Sequence, residues 1–253
     1  MNDNNPWWND FFDEPFARLL LERTDQEQLT KEVDFLIHQL QLERNQVVLD
    51  QCCGIGTISY EMAKRGIQTI GIDQSQSYIH SAKNNAQKKQ LSCMFYHGDA
   101  LTFVCKEKVD AAFNWYSSFG YSVNDDINRG MLQCSYDSLR WGGRFVLDYV
   151  NPAFIFQHFM EQTLIRKQLP EGDLTVHKQS SVDLERGMLL SSWRYELPDG
   201  RQVTKSGESR LYFANDLSKM LASCGFQMIE FHGDVSGNPL TKDSQRCIIT
   251  AQK

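Results

Sequence analysis

No apolar run in these 253 residues is long enough to cross a bilayer. The opening stretch Met1-Asn2-Asp3-Asn4-Asn5-Pro6 lacks the basic-then-apolar pattern of a signal peptide. These absences make a cytoplasmic protein without a membrane partner the expectation. Basic blocks are missing too, and the net charge is −6, so a nucleic-acid partner is not expected, although a local basic groove stays open. The seven cysteines are an odd number. Cys52 and Cys53 are adjacent, no Cys-x-x-Cys accompanies them, and a disulfide framework is excluded. Six histidines are scattered along the chain, and no metal site is expected. Internal repeats and low-complexity segments are lacking.

What is present is a core-forming composition, 41% hydrophobic, in a length suited to one domain or a domain with a large insertion. The chain is organised around Val47-Val48-Leu49-Asp50-Gln51-Cys52-Cys53-Gly54-Ile55-Gly56. An apolar run ends in a carboxylate, a two-glycine turn follows, and a helical pattern starts at Thr57. Strand and helix then alternate. Strands are expected at Val47 to Asp50, Ile67 to Ile72, Ser92 to Tyr96, Val109 to Phe113 and Arg144 to Val150, the last after a Gly142-Gly143 turn. Helices are expected from Thr57 to Lys64, from Ser75 to about Lys89, and after a cap at Asn124 or Asp125. Such βαβ repetition predicts a parallel sheet covered on both faces.

Three segments depart from this rhythm. Trp7, Trp8, Phe11 and Phe12 crowd the N-terminus, too aromatic for a disordered tail. They dock on the core surface or form a lid over the active site. Thr24-Asp25-Gln26-Glu27 reads as a capping box with Thr24 as N-cap, opening an amphipathic helix through Leu40. From Asn151 to Ser209, turn signals at Pro170 to Asp173, Glu185 to Gly187 and Pro198 to Gly200 separate alternating runs. This is the pattern of a small antiparallel insertion. A helix around Leu217 to Leu221 and strands at Phe226 to Phe231 and Cys247 to Ala251 complete the chain. The expected organisation is an N-terminal helical segment or lid (1–45), a nucleoside-binding domain (46–150 and 210–253) and a cap (151–209).

The turn after the first strand can be matched to a ligand. A dinucleotide fingerprint would place a third glycine where Ser59 stands, and a Gly-Lys-Ser/Thr phosphate loop is absent. Asp73, about 20 residues past the glycines, suits a ribose diol. Asp99-Ala100 follows the third strand, where an adenine amine could be held, and Asp50 can receive a cation. A free helix start can hold a carboxylate. The set suits a nucleoside with an ammonium and carboxylate tail and no phosphate.

Residues Val47 to Asp148 resemble the class I S-adenosylmethionine-dependent methyltransferases, small-molecule branch. Asp50-x-Cys52-x-Gly54-x-Gly56 is similar to their first motif, with Cys52 where glycine is common. Asp73 resembles their ribose-binding acid, with Gln74 and Ile79 near the adenosine. Gly98-Asp99-Ala100 is similar to their adenine-side motif, Asp110 to Asn114 to their fourth-strand motif, and Trp141 to Phe145 to the turn into their fifth strand. The resemblance implies an α/β, Rossmann-like, doubly wound sheet of seven strands with the last antiparallel. It implies S-adenosylmethionine as cosubstrate, S-adenosylhomocysteine as product, and no metal. Asn114 and Trp115 join the donor-binding set by the same analogy.

The donor carries its own leaving group, so the protein mainly aligns the acceptor and excludes water. An amine acceptor needs only to be neutral, whereas a hydroxyl or carbon gains from a base. Asn114 to Tyr121, at the functional edge of the sheet, should wall the acceptor. Tyr116, Tyr149 and His158 are the candidate catalytic groups. Trp8, Phe11, Tyr121 and Arg210 are candidates for the acceptor site, and His232 is a further orienting group. The leading expectation is methyl transfer to a small metabolite, in a biosynthetic pathway. Protein or RNA acceptors, a non-catalytic binding module and a non-methylating cyclase on the same fold stay open. The insertion is a cap over the acceptor, a homodimer contact through its edges and Trp193, or both.

Overall fold

The computed structural model describes residues 6–23 and 25–253. Its main sheet contains β1 (Val47–Gln51), β2 (Gln68–Asp73), β3 (Cys93–His97), β4 (Val109–Asn114), β5 (Leu139–Val150), β10 (Gln227–His232) and β11 (Arg246–Gln252). Their spatial order is β10-β11-β5-β4-β1-β2-β3. Neighbours from β3 across to β5 pair in parallel, and β11 runs antiparallel to both β5 and β10. This is the seven-stranded, doubly wound, Rossmann-like sheet implied by the resemblance, with the last strand antiparallel.

Both faces are covered, which explains the nearly continuous apolar strands. Val48, Ala111, Phe113, Val146 and Ile248 meet α3 (Gln26–Leu40) and α4 (Thr57–Lys64) on one face. Leu49, Ala112, Phe145, Leu147 and Ile249 meet α6 (Asp125–Ser138) and α8 (Ala214–Ser223) on the other. Adjacent residues of one strand thus serve opposite layers, the period of two inherent in a strand. A further helix, α5 (Gln76–Lys88), follows β2, capped by Ser75, whose side chain accepts from the Tyr78 amide.

Two local expectations are corrected. Thr24, read as an N-cap, lies outside the described residues, and the N-cap of α3 is Asp25, whose carboxylate accepts from the Gln28 amide at 2.9 Å. Gly142-Gly143 does not precede β5 but lies within it, at an irregularity where the pairing with β4 shifts between Val109 and Ala111. A Cβ on Gly143 would stand 2.8 Å from the Arg140 carbonyl, so the chain folds tightly onto itself there.

After β5 and the short α7 (Pro152–Gln157) comes a second, antiparallel sheet of β6 (Gln162–Leu169), β7 (Gly172–Asp183), β8 (Met188–Glu196) and β9 (Gln202–Arg210), in that order. The three turn signals join its strands. Trp193 sits on an inner strand and packs edge-on against Phe11, with Phe16 also beside it. Two short helical turns, α1 (Trp8–Phe11) and α2 (Glu14–Phe16), and a π-helical turn at Ala17–Leu21 fill the space between the two sheets. No helix among the described residues is long and apolar enough to cross a membrane.

Phe145 is fully buried and stacks on Phe226. Phe145→Ala should lower the unfolding free energy by about 3–5 kcal/mol. Trp141→Ala, at a site 78% exposed, should change it by less than about 0.5 kcal/mol. Urea titration followed by circular dichroism checks both, and comparable losses would contradict the packing described.

Candidate active site

The strand order reverses at β1: the chain proceeds outward to β2 and β3, then returns to place β4 on the other side. Connections leave β1 and β4 in opposite directions, and a crevice opens beyond their carboxyl ends. A cavity of about 320 Å³ occupies this crevice. That is near the lower end of the roughly 300–1,000 Å³ typical of small-molecule sites.

One side is polar and is built by the turns after β1, β2 and β3. Cys52 takes φ +64° and Gly54 φ +55°, turning the chain sharply into α4. α4 starts without a side-chain cap, so its first amides are free to meet a ligand. The Asp73 carboxylate accepts from the Gly54 amide at 2.9 Å and from the Ser75 amide at 2.8 Å. It thereby ties the glycine turn to the start of α5. Burial pushes Asp73 above the ordinary carboxylate range, against the pull of those two amides. Asp50 is buried, accepts from the Ser59 hydroxyl at 2.6 Å, and is pushed up by burial to about 7. Asp99 is exposed and bonds the Leu101 amide. Asp50, Cys52, Gly54, Asp73, Gln74, Asp99, Ala100 and Trp115 all line the cavity.

Three expected donor residues stand behind this wall. Gly56 takes φ +84° and lies against Phe95, where a Cβ would come within 2.7 Å of the ring. Ile79 is buried in the cluster around Tyr60 and Phe95. Asn114 donates to Gln51 and to the Ser118 carbonyl, bracing the loop after β4 from below.

The other side is aromatic. Tyr116 and Ser117 both take left-handed backbone, φ +60° and +57°, a strained arrangement for two consecutive non-glycine residues. A buried ionic group holds it. Asp148 accepts from the Tyr116 amide at 2.8 Å and pairs with Arg246 at 2.6 Å, and the Tyr116 hydroxyl donates to Glu32. Glu32 also meets Arg246 at 3.4 Å and Arg23 at 3.3 Å. Burial raises the Tyr116 phenol well above its ordinary value, and the neighbouring Glu32 adds to the effect. The phenol therefore stays protonated.

The roof is the N-terminal segment. Trp8, Phe12, Phe16, Leu20 and Leu21 line the cavity from above, facing Tyr121. The segment is fastened to the donor side by neutral hydrogen bonds. The Trp8 carbonyl accepts from Gln74, the Asp13 carbonyl from Tyr78 and the Leu21 carbonyl from Thr57. Charged groups fasten it to the second sheet. Lys205 bonds the Phe11 carbonyl and the Asp13 carboxylate, Lys167 bonds the Arg18 and Glu22 carbonyls, and Arg18 pairs with Glu171.

Several expected catalytic and acceptor residues lie elsewhere. Tyr149 is fully buried on the core face of β5, donates to the Arg210 carbonyl and supports the Gly120 loop from behind. Strand alternation put it in the core rather than at the mouth. His158 stacks on Phe154 at the exposed end of α7, outside the cavity. Arg210 pairs with Asp125 in a separate shallow depression beside the Glu185 turn. Phe11 packs beneath Trp193 rather than on the wall, and His232 packs against Phe35. Of the three catalytic candidates only Tyr116 borders the cavity. Sequence reasoning singled out Phe12 only as part of the aromatic N-terminal cluster and did not select Phe16, Leu20, Leu21 or Arg23. No local spacing announces them, because a roof is made by docking.

The donor set fits a methionine-derived nucleoside: carboxylates for hydroxyls and an ammonium, an uncapped helix start for a carboxylate, and apolar walls for a base. Fold and crevice together resemble those of the class I S-adenosylmethionine-dependent methyltransferases. Residues 48–143 match the family described as Methyltransferase domain. A provisionally assigned methyltransferase, YqeM of Bacillus subtilis (strain 168), is 24% identical over 81% of this chain and 83% of its own length. The 23S rRNA (uracil(1939)-C(5))-methyltransferase RlmD of Shewanella halifaxensis is 35% identical over 42% of this chain, which is 23% of that protein. The fold is shared with an S-adenosylmethionine-dependent methyltransferase from Clostridium acetobutylicum, with TM-score 0.78 and 17% identity over 94% of this chain and 95% of that one. The sugar N-methyltransferase KedS8 from Streptoalloteichus gives TM-score 0.73 and 16% identity over 94% and 91%.

Asp50 supplies a test of the electrostatics. Its folded pKa is raised from 3.8 to about 7, so its protonated form favours the folded chain. That contribution is full below about pH 4 and is lost as pH rises through about 7. The unfolding free energy of the unliganded protein, measured relative to Asp50→Asn by urea titration, should therefore fall between about pH 4 and 7 and level off above. A flat or rising difference would contradict a buried, proton-binding Asp50.

Proposed function

We propose that this enzyme transfers a methyl group from S-adenosylmethionine to the amine nitrogen of a small, largely uncharged metabolite. The observation that carries this is the composition of the acceptor side: aromatic rings, with Asp50, the cavity carboxylate pushed up to about 7, on the opposite side and engaged by Ser59. No histidine or lysine lines the cavity among the described residues. The Tyr116 and Tyr121 phenols are both raised by burial. Asp50 is bound by Ser59 and Asp73 by two amides, on the donor side. An acceptor here must bring its own lone pair. A hydroxyl or unactivated carbon would lack a base. An amine need only be neutral, and a low-polarity wall disfavours its ammonium form.

When bound, the donor supplies an activated methyl group. The chain's own residues do the rest. Asp73 and Asp99 would hold the nucleoside, and Asp50 and the start of α4 its charged tail. Trp115, Tyr116 and Tyr121 would orient the acceptor, and the roof would exclude water. The solved sugar N-methyltransferase of the same fold supports a small amine acceptor. The match to the rRNA enzyme covers less than half of this chain, so it carries little weight for the acceptor.

S-Adenosylmethionine and S-adenosylhomocysteine should bind in the micromolar range by titration calorimetry. Asp73→Ala should weaken both by about tenfold or more, the loss of a charged hydrogen-bond acceptor. With radiolabelled donor, label should pass to small amines. Label in RNA or protein would overturn the acceptor proposal. Absence of binding by either nucleoside would overturn the donor assignment.

A further inference from the structure

Arg23 is the one cation on the cavity wall among the described residues, and it belongs to the roof rather than to the donor-binding domain. Two residues earlier, the Leu21 carbonyl accepts from Thr57, the first residue of α4. The Leu21 side chain lies 3.1 Å from where a Gly54 Cβ would stand. The chain therefore crosses the glycine turn at Leu21 and delivers Arg23 to the crevice between β1 and β4. There its guanidinium lies 4.8 Å above the Tyr116 ring and reaches Glu32 through one nitrogen, Nη2, at 3.3 Å. Glu32 is already served by Gln28, Tyr116 and Arg246. The remaining nitrogens of Arg23 have no acceptor among the described residues.

We propose that Arg23 binds the carboxylate of the donor's methionine tail and that this contact closes the N-terminal segment. The proposal rests on the donor assignment above. Asp73 and Asp99 place the nucleoside on the β2 and β3 side, so the tail extends across Gly54 toward β1 and β4. Asp50 there attracts the ammonium. The carboxylate needs a cation, and the wall offers Arg23. A planar guanidinium recognises a carboxylate with two parallel hydrogen bonds while keeping its face on an aromatic ring. The same residue touches the strained Tyr116 loop, so donor binding, roof closure and the acceptor wall meet at one side chain. The consequence is an order of events: the donor binds first and completes the acceptor site.

The test compares S-adenosylhomocysteine, which keeps the tail, with 5′-methylthioadenosine, which lacks it. Calorimetry on Arg23→Met should show a loss of about tenfold or more for the first and less than about twofold for the second, the difference expected of a charge-assisted contact. Arg23→Lys should recover part of the loss. In the wild type, S-adenosylhomocysteine should slow amide hydrogen exchange across residues 6–23 and 5′-methylthioadenosine should not. In Arg23→Met the first should lose that effect. Equal weakening of both nucleosides, or of neither, would overturn the role of Arg23, and the retained binding of 5′-methylthioadenosine reports that the variant is folded. Equal protection by both nucleosides would overturn the coupling to the roof. If neither binds the wild type, the donor assignment fails and this inference with it.

Discussion

The carboxyl end of β1 is where this molecule commits itself. Because β2 and β4 lie on opposite sides of β1, no connection of the main sheet passes over that end, and the backbone there is left open to a ligand. Asp73 turns the opening into a site. A single carboxylate accepts from the Gly54 amide on one side and the Ser75 amide on the other, fixing the glycine turn relative to the start of α5. Burial works against its charge, and the two amides offset part of that cost. With this bridge in place the turn keeps the shape that leaves the start of α4 uncapped and facing the crevice.

The opening is covered by chain from elsewhere. The N-terminal segment reaches the donor side through neutral hydrogen bonds from Gln74, Tyr78 and Thr57. It reaches the second sheet through Lys205, Lys167 and the Arg18–Glu171 pair. The ion pairs to the second sheet are partly exposed, and Arg23 adds a charged contact to the buried Glu32 of α3. The insertion serves as one platform on which the roof is mounted.

Strain and charge are concentrated on the acceptor side. Two successive left-handed residues, Tyr116 and Ser117, persist because Asp148, Glu32 and Arg246 hold the first of them by amide and hydroxyl. Removing one member of such a buried set leaves another charge uncompensated, which is costly. The network looks excessive for holding a loop. It is economical if the loop has to keep one shape while a ligand and a roof come and go.

Residue pattern gave the alternating sheet and its antiparallel insertion, and the family resemblance supplied the seventh, antiparallel strand. The order of strands and helices, the carboxylates Asp50, Asp73 and Asp99 at strand ends, and the three insertion turns follow from periodicity, turn chemistry and hydrogen-bonding need, all of which act over a few residues. The strand-end side of the cavity was legible for the same reason, since it is made of consecutive residues at the ends of strands. Ile79 and Gly56 lie one layer behind that wall, and the cap of α3 is Asp25. The aromatic side was legible in part: Trp8, Tyr116 and Tyr121 line the cavity as expected, but the rest of the roof was not. Tyr149 and His158 had the right chemistry and the wrong orientation, which strand alternation and docking decide. Phe12, Leu20 and Arg23 became part of the site only because a segment folded back across the sheet edge. Contacts between residues 23, 32, 116, 148 and 246 join distant parts of the chain, and such contacts leave no periodic mark. Tertiary structure alone brought them together.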